Sequence, residues 1–171
     1  MASSSLPAVD LPLRIDGIDG LRSAVGESIG PTAWREVTQA DIDAFADLSG
    51  DHQWIHCDVE RAAAESPYGT TIAHGNLTLS LIDGFRLELI KIEGVKMGIN
   101  YGWNKVRFPA PVLSGSRVRA TSTLVSVDDV GDGWVQTVPG SRSKARASRS
   151  RSASPRASAA PSPDPESLTQ P

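Results

Sequence analysis

The sequence predicts an α+β fold, with helices first and strands last. Three observations carry this. Residues 76–90 are apolar around most of a helical wheel, through Leu77, Leu79, Leu81, Ile82, Phe85, Leu87, Leu89 and Ile90. A helix apolar on most sides is usually a buried one. Residues 116–127 alternate, with Val118, Ala120, Ser122 and Leu124 set against Arg117, Arg119, Thr121 and Thr123, the period of a strand. After a turn at 128–133, residues 133–138 open another strand.

The remaining elements follow in chain order. Residues 1–20 read as a loosely ordered leader, and residues 21–138 as one domain. Trp34 to Val37 is short and β-prone. Thr38 can cap a helix, and Asp41 places negative charge in its first turn. Ile42, Phe45, Ala46 and Leu48 follow at helical spacing, and Gly50 ends the run. Residues 58–65 form an alanine-rich helix candidate, broken by Pro67-Tyr68-Gly69. Residues 95–109 read as a long strand, on which Asn100, Tyr101, Trp103 and Asn104 alternate and pack, ending at Phe108-Pro109-Ala110-Pro111. Residues 139–171 are almost entirely Ser, Arg, Ala and Pro, with Leu168 the only large apolar residue. Such a tail cannot bury enough surface to offset its ordering entropy and is expected to be disordered.

Composition narrows the function. The chain has 171 residues, enough for one domain with a hydrophobic core. The single cysteine, Cys57, excludes an internal disulfide and fits a reducing compartment. His52, His56 and His74 match no common zinc spacing, so no metal is expected. Residues 1–13 lack the features of a signal peptide, and no apolar run is long enough to span a membrane, so the expected location is the cytoplasm. The net charge of −3 hides an asymmetry: residues 139–171 carry six basic and two acidic residues, and residues 1–138 carry 11 basic and 18 acidic. The acidic body argues against nucleic-acid binding.

The stretch Ser49-Gly50-Asp51-His52-Gln53-Trp54-Ile55-His56 holds the chemistry. Asp51 and His56 are five residues apart. On a helix that separation leaves side chains roughly 140° apart, and on a strand it puts them on opposite faces. They can converge only on a folded loop, which Ser49-Gly50-Asp51 permits. A carboxylate and an imidazole held together can activate a water. His52 is expected to face solvent, and His74 to serve as a structural hydrogen-bonder where the apolar helix begins.

The chain resembles the MaoC-like dehydratases, a family that includes (R)-specific enoyl-CoA hydratases (hydratase 2) and nodulation-protein-N-like proteins. The resemblance rests on Phe45-Ala46-Asp47-Leu48-Ser49-Gly50-Asp51 followed by His56, on the connection from Asp58 to Tyr68, on Ile72-Ala73-His74-Gly75, and on the run Asn100 to Val112. It implies a hot-dog fold, a long helix wrapped by a curved antiparallel sheet, usually in a homodimer. It implies hydration of trans-2-enoyl-CoA to (R)-3-hydroxyacyl-CoA, or the reverse, with no cofactor beyond the CoA of the substrate. Asp51 and His56 match the pair that holds and deprotonates water, with base and acid left open between them. Gly75 matches the glycine whose N–H faces the thioester oxygen. One departure is Asp83, where some hydratases carry a serine.

The tail bears on this reading. Family members continue with two more β segments, which lie in the middle of the sheet. The Ala/Arg/Pro/Ser bias here is that of an out-of-frame read of GC-rich coding sequence, and a frame change near Thr137 would account for it. The alternative is a natural basic tail resembling an arginine–serine segment. A fold left incomplete at its C-terminus would favour a second function, a non-catalytic or inactive protein that binds acyl thioesters.

Overall fold

The computed structural model describes residues 11–146. Residues 1–10 of the expected leader and 147–171 of the expected tail lie outside them. The elements in order are β1 (Leu13–Asp16), α1 (Gly17–Ser23), β2 (Ser28–Ile29), β3 (Arg35–Val37), α2 (Gln39–Ser49), α3 (Trp54–Cys57), α4 (Val59–Glu65), α5 (Gly75–Leu89), β4 (Ile90–Glu93), β5 (Ser116–Gly131) and β6 (Trp134–Arg146).

The helix signals read from the sequence act as expected. Thr38 and Asp41 form a reciprocal capping box at the start of α2, and Gly50 closes that helix in the left-handed conformation, with φ of 77°. The Asp58 side chain accepts from the Arg61 amide to start α4. The long helix α5 lays Leu77 and Phe85 against Val118 and Ala120 of β5, and Val37, Ile42, Ala73 and Val112 complete this core. A second cluster gathers Ile15 and Leu21 on Leu124.

Strand β5 organises the sheet. One edge pairs antiparallel with β3 and β2 in turn, and the other with β6 along its length. Its buried positions are Ser116, Val118, Ala120, Ser122 and Leu124, the alternation seen in the sequence. β1 and β4 form a separate parallel pair.

Three expectations need correction. The leader is ordered from residue 11: Ile15 and Leu21 are buried, because two apolar side chains at the right spacing cover the far end of β5. Residues 95–109 form no strand; Tyr101 is 91% exposed and Trp103 is also exposed. The segment joins no strand of either sheet, and the nearest bridge, Ile72 to Leu113, lies just beyond it. Finally, β6 runs to Arg146, past the boundary expected at residue 138, so residues 139–146 are paired strand. Their side chains are exposed, but ladder hydrogen bonds use only the backbone and need no apolar sequence. Pro139, which has no N–H to donate, sits opposite Leu124 at a register shift, where a strand tolerates it.

Among the described residues the outer edge of β6 has no partner strand. Leu87 on α5 is 68% exposed, so one flank of the long helix is open rather than buried all round. No helix is long and apolar enough to cross a membrane among the described residues.

Candidate active site

The site forms where three chain segments meet. The first is the end of α2 with the Asp51–Gln53 link. The second is α3, a single turn that carries His56. The third is the extended segment 70–74 that leads into α5. Backbone bonds tie that last segment on both sides. The Ile72 amide donates to the Ile55 carbonyl, while Ala73 and Ser114 amides join it to residues 112–114. The result settles the spacing problem posed by Asp51 and His56. A link of three residues followed by a short helical turn folds the pair back on itself, and His74 arrives from the third segment. One carboxylate or ring-nitrogen atom from each of Asp51, His56 and His74 lies within 4.8 Å of the other two.

The hydrogen bonds assign the histidine tautomers. His56 Nδ1 lies 2.6 Å from the Ile72 carbonyl oxygen. A carbonyl only accepts, so Nδ1 carries a proton, and in the neutral ring Nε2 has the lone pair. His74 Nε2 lies 2.9 Å from the Asp51 carbonyl oxygen, so there Nε2 is the donor and Nδ1 has the lone pair. The two rings stack with centroids 3.7 Å apart, 27° from parallel. Both are buried, whereas Asp51 is exposed. An imidazole binds a metal through a lone pair in its ring plane, and two stacked rings cannot both aim one at a single ion without turning. The trio is better arranged for handling protons than for holding a cation.

Sequence reasoning missed the support behind this pair. Gln39, the first residue of α2, donates from Nε2 to the His56 carbonyl at 2.7 Å and to Asp43 at 2.8 Å. The fully buried Thr71 donates its hydroxyl to Gln39 Oε1. A glutamine at the start of a helix carries no signal that its side chain will reach residues 56 and 71. Cys57, next to His56, is not an activated thiol. Burial pushes its pKa up, and Asp43, Asp47 and Asp51 add to that by disfavouring a thiolate. His52 is exposed, as expected.

Gly75 begins α5, so its N–H belongs to the first turn, which has free donors and the positive end of the helix dipole. A Cβ at Gly75 would stand 2.8 Å from the Phe108 ring. A side chain at this position would make the half-exposed Phe108 ring shift. A cleft of about 320 Å³ runs past His56, Tyr68, Gly75, Thr78 and Phe108. Asp51 is not among its lining residues. Asp83, at the departure noted above, is exposed and takes a hydrogen bond from Asn100 at 3.4 Å.

Residues 21–144 match the MaoC-like domain family. The chain belongs to this family. It is 55% identical over 121 residues to 3-hydroxyacyl-thioester dehydratase Z of Mycobacterium tuberculosis, covering 71% of this chain and 80% of that protein. It is 50% identical over 103 residues to nodulation protein N of Rhizobium leguminosarum bv. viciae, covering 60% of this chain and 64% of that protein. Among solved structures, it is similar to the monoamine oxidase regulatory protein from Archaeoglobus fulgidus, with a TM-score of 0.60 and 27% identity over 80% of this chain and 88% of that one. The MaoC-like dehydratase from Rhodospirillum rubrum shares the fold, with a TM-score of 0.55 and 24% identity over 72% of this chain and 82% of that one. The fold is the hot-dog fold, mixed α+β, as the sequence resemblance implies.

Proposed function

We propose that this MaoC-like protein is an (R)-specific enoyl-CoA hydratase/dehydratase, interconverting trans-2-enoyl-CoA plus water with (R)-3-hydroxyacyl-CoA. The observation that carries the proposal is the convergence of the Asp51 carboxylate with His56, whose Nδ1–H is committed to the Ile72 carbonyl, beside the first turn of α5. Similarity to the Mycobacterium tuberculosis 3-hydroxyacyl-thioester dehydratase Z supports the substrate class.

The chemistry follows from those groups. Addition of water at C3 builds negative charge on the thioester oxygen, and the Gly75 N–H is suited to receive it. Asp51 and the His56 Nε2 lone pair are both acceptors, so together they can hold a water and remove one proton as its oxygen bonds to C3. The group that takes that proton becomes the acid that returns it to C2. The sum is one water added, with no redox step and no cofactor. The proposal includes a homodimer, whose second subunit would cover the open flank of α5.

The test measures loss of enoyl absorbance with crotonyl-CoA and with a longer enoyl-CoA, for the parent, Asp51→Asn and His56→Ala. The parent should be active and both variants strongly impaired. Activity that survives both substitutions refutes the assignment. A second reading, an inactive protein that binds acyl thioesters, is favoured by the edge of β6 that has no partner strand among the described residues. A well-folded dimer that binds crotonyl-CoA without turnover would select it.

A further inference from the structure

We infer that His74 is a positioning residue of the reaction, the part that keeps Asp51, His56 and Gly75 in register. This rests on the hydratase reading above and extends it to a residue outside the acid–base pair. Three observations support it. His74 Nε2–H donates to the Asp51 carbonyl at 2.9 Å, fixing the backbone that carries the carboxylate. Its ring stacks on that of His56 at 3.7 Å, limiting how the imidazole can rotate. It is also the N-cap residue of α5, directly before Gly75. One side chain thus touches both proton-handling residues and is bonded through the chain to the candidate oxyanion donor.

The cost of this arrangement argues against mere packing. His74 Nδ1 is buried and makes no hydrogen bond, the one such side-chain atom among the described residues. A buried acceptor left unsatisfied is costly. An aromatic hydrocarbon ring would fill the same space, stack on His56 and reach Phe45, whose ring centroid is 5.1 Å away, without that cost. What it would not do is hold Asp51. The His74 donor is therefore the feature that packing alone does not explain.

Two substitutions separate the donor from the ring. His74→Phe keeps a stackable ring, removes the donor and removes the orphaned acceptor. His74→Gln places an amide N–H near the position of Nε2 and loses the ring. With crotonyl-CoA, His74→Phe should lower kcat on the order of 10–100-fold, the scale of misplacing a reacting group by about 1 Å. Its KM should stay within about threefold, and its thermal midpoint should stay close to the parent's, because losing the unsatisfied Nδ1 offsets losing the bond to the Asp51 carbonyl. His74→Gln should recover most of the lost kcat. Parent-like kcat in His74→Phe overturns the proposal, as does a kcat loss that comes with a fallen thermal midpoint or that His74→Gln does not relieve. A second measurement needs no turnover: ring-nitrogen NMR of the parent should show His74 protonated at Nε2 and His56 at Nδ1. His74 protonated at Nδ1 instead overturns the tether. A parent with the expected tautomers but no turnover refutes the hydratase reading and leaves the tether standing.

Discussion

The site and the β6 edge are held together by different means. At the site, side chains and backbone groups far apart in sequence lock one another. Gln39 bonds residue 56, Thr71 bonds Gln39, His56 bonds Ile72, and His74 bonds Asp51. Along β6 the ladder with β5 is backbone, and from Pro139 on the strand's side chains point to solvent. A site built from cross-bonds should be sensitive to single atoms. An edge built from backbone pairing should tolerate most side chains.

Predictions that test this contrast run from the largest effect to the smallest. His56→Ala should cost about 10²–10⁴-fold in kcat/KM, read by enoyl absorbance, and lower the unfolding midpoint because a buried, hydrogen-bonded ring is lost. Phe85→Ala, on the buried face of α5, should cost about 3–5 kcal/mol by urea denaturation, because a buried ring leaves a cavity. Gly75→Ala should cost about 1 kcal/mol, as the new methyl forces the half-exposed Phe108 ring to move. Gly75→Ala paired with Phe108→Leu should recover part of that loss, and no recovery would remove Phe108 as the reason for the glycine.

Thr38→Ala should cost about 1 kcal/mol near neutral pH through loss of the capping box, with turnover unchanged. This effect depends on pH in a defined direction. The Thr38 amide and hydroxyl hold the Asp41 pKa below its ordinary value of 3.8. The stabilisation is therefore present above pH 3.8 and is lost as pH falls through the lower folded value. The gap between parent and Thr38→Ala should narrow over that acid range in unfolding experiments. Least of all, Ser143→Ala on β6 should change stability by no more than about 0.5 kcal/mol. A larger change would break the contrast, because it would show that the edge depends on its side chains.

Local signals in the sequence were the ones the fold obeyed. Thr38, Asp41 and Gly50 bound α2 through bonds within a few residues of each other, so spacing alone reveals them. The alternation of β5 survives because one face meets α5 and the other does not. Where a segment needs a distant partner, the sequence misled. Residues 95–109 have strand composition but pair with no strand, and residues 139–146 have tail composition but pair with β5.

The same division applies to the site. Asp51, His56 and Gly75 could be named from motif and loop chemistry. Gln39, Thr71 and the Asp51-directed bond of His74 could not, because nothing in the order of residues specifies a hydrogen bond between segments 17 to 32 positions apart. By itself the sequence determined the helices α2, α4 and α5, the core face of β5 and which residues are candidates for the water-handling pair. The tertiary structure decided which ring nitrogen of His56 is free, what packs on Gly75 and how far β6 extends. Each of those depends on a partner brought close only by folding.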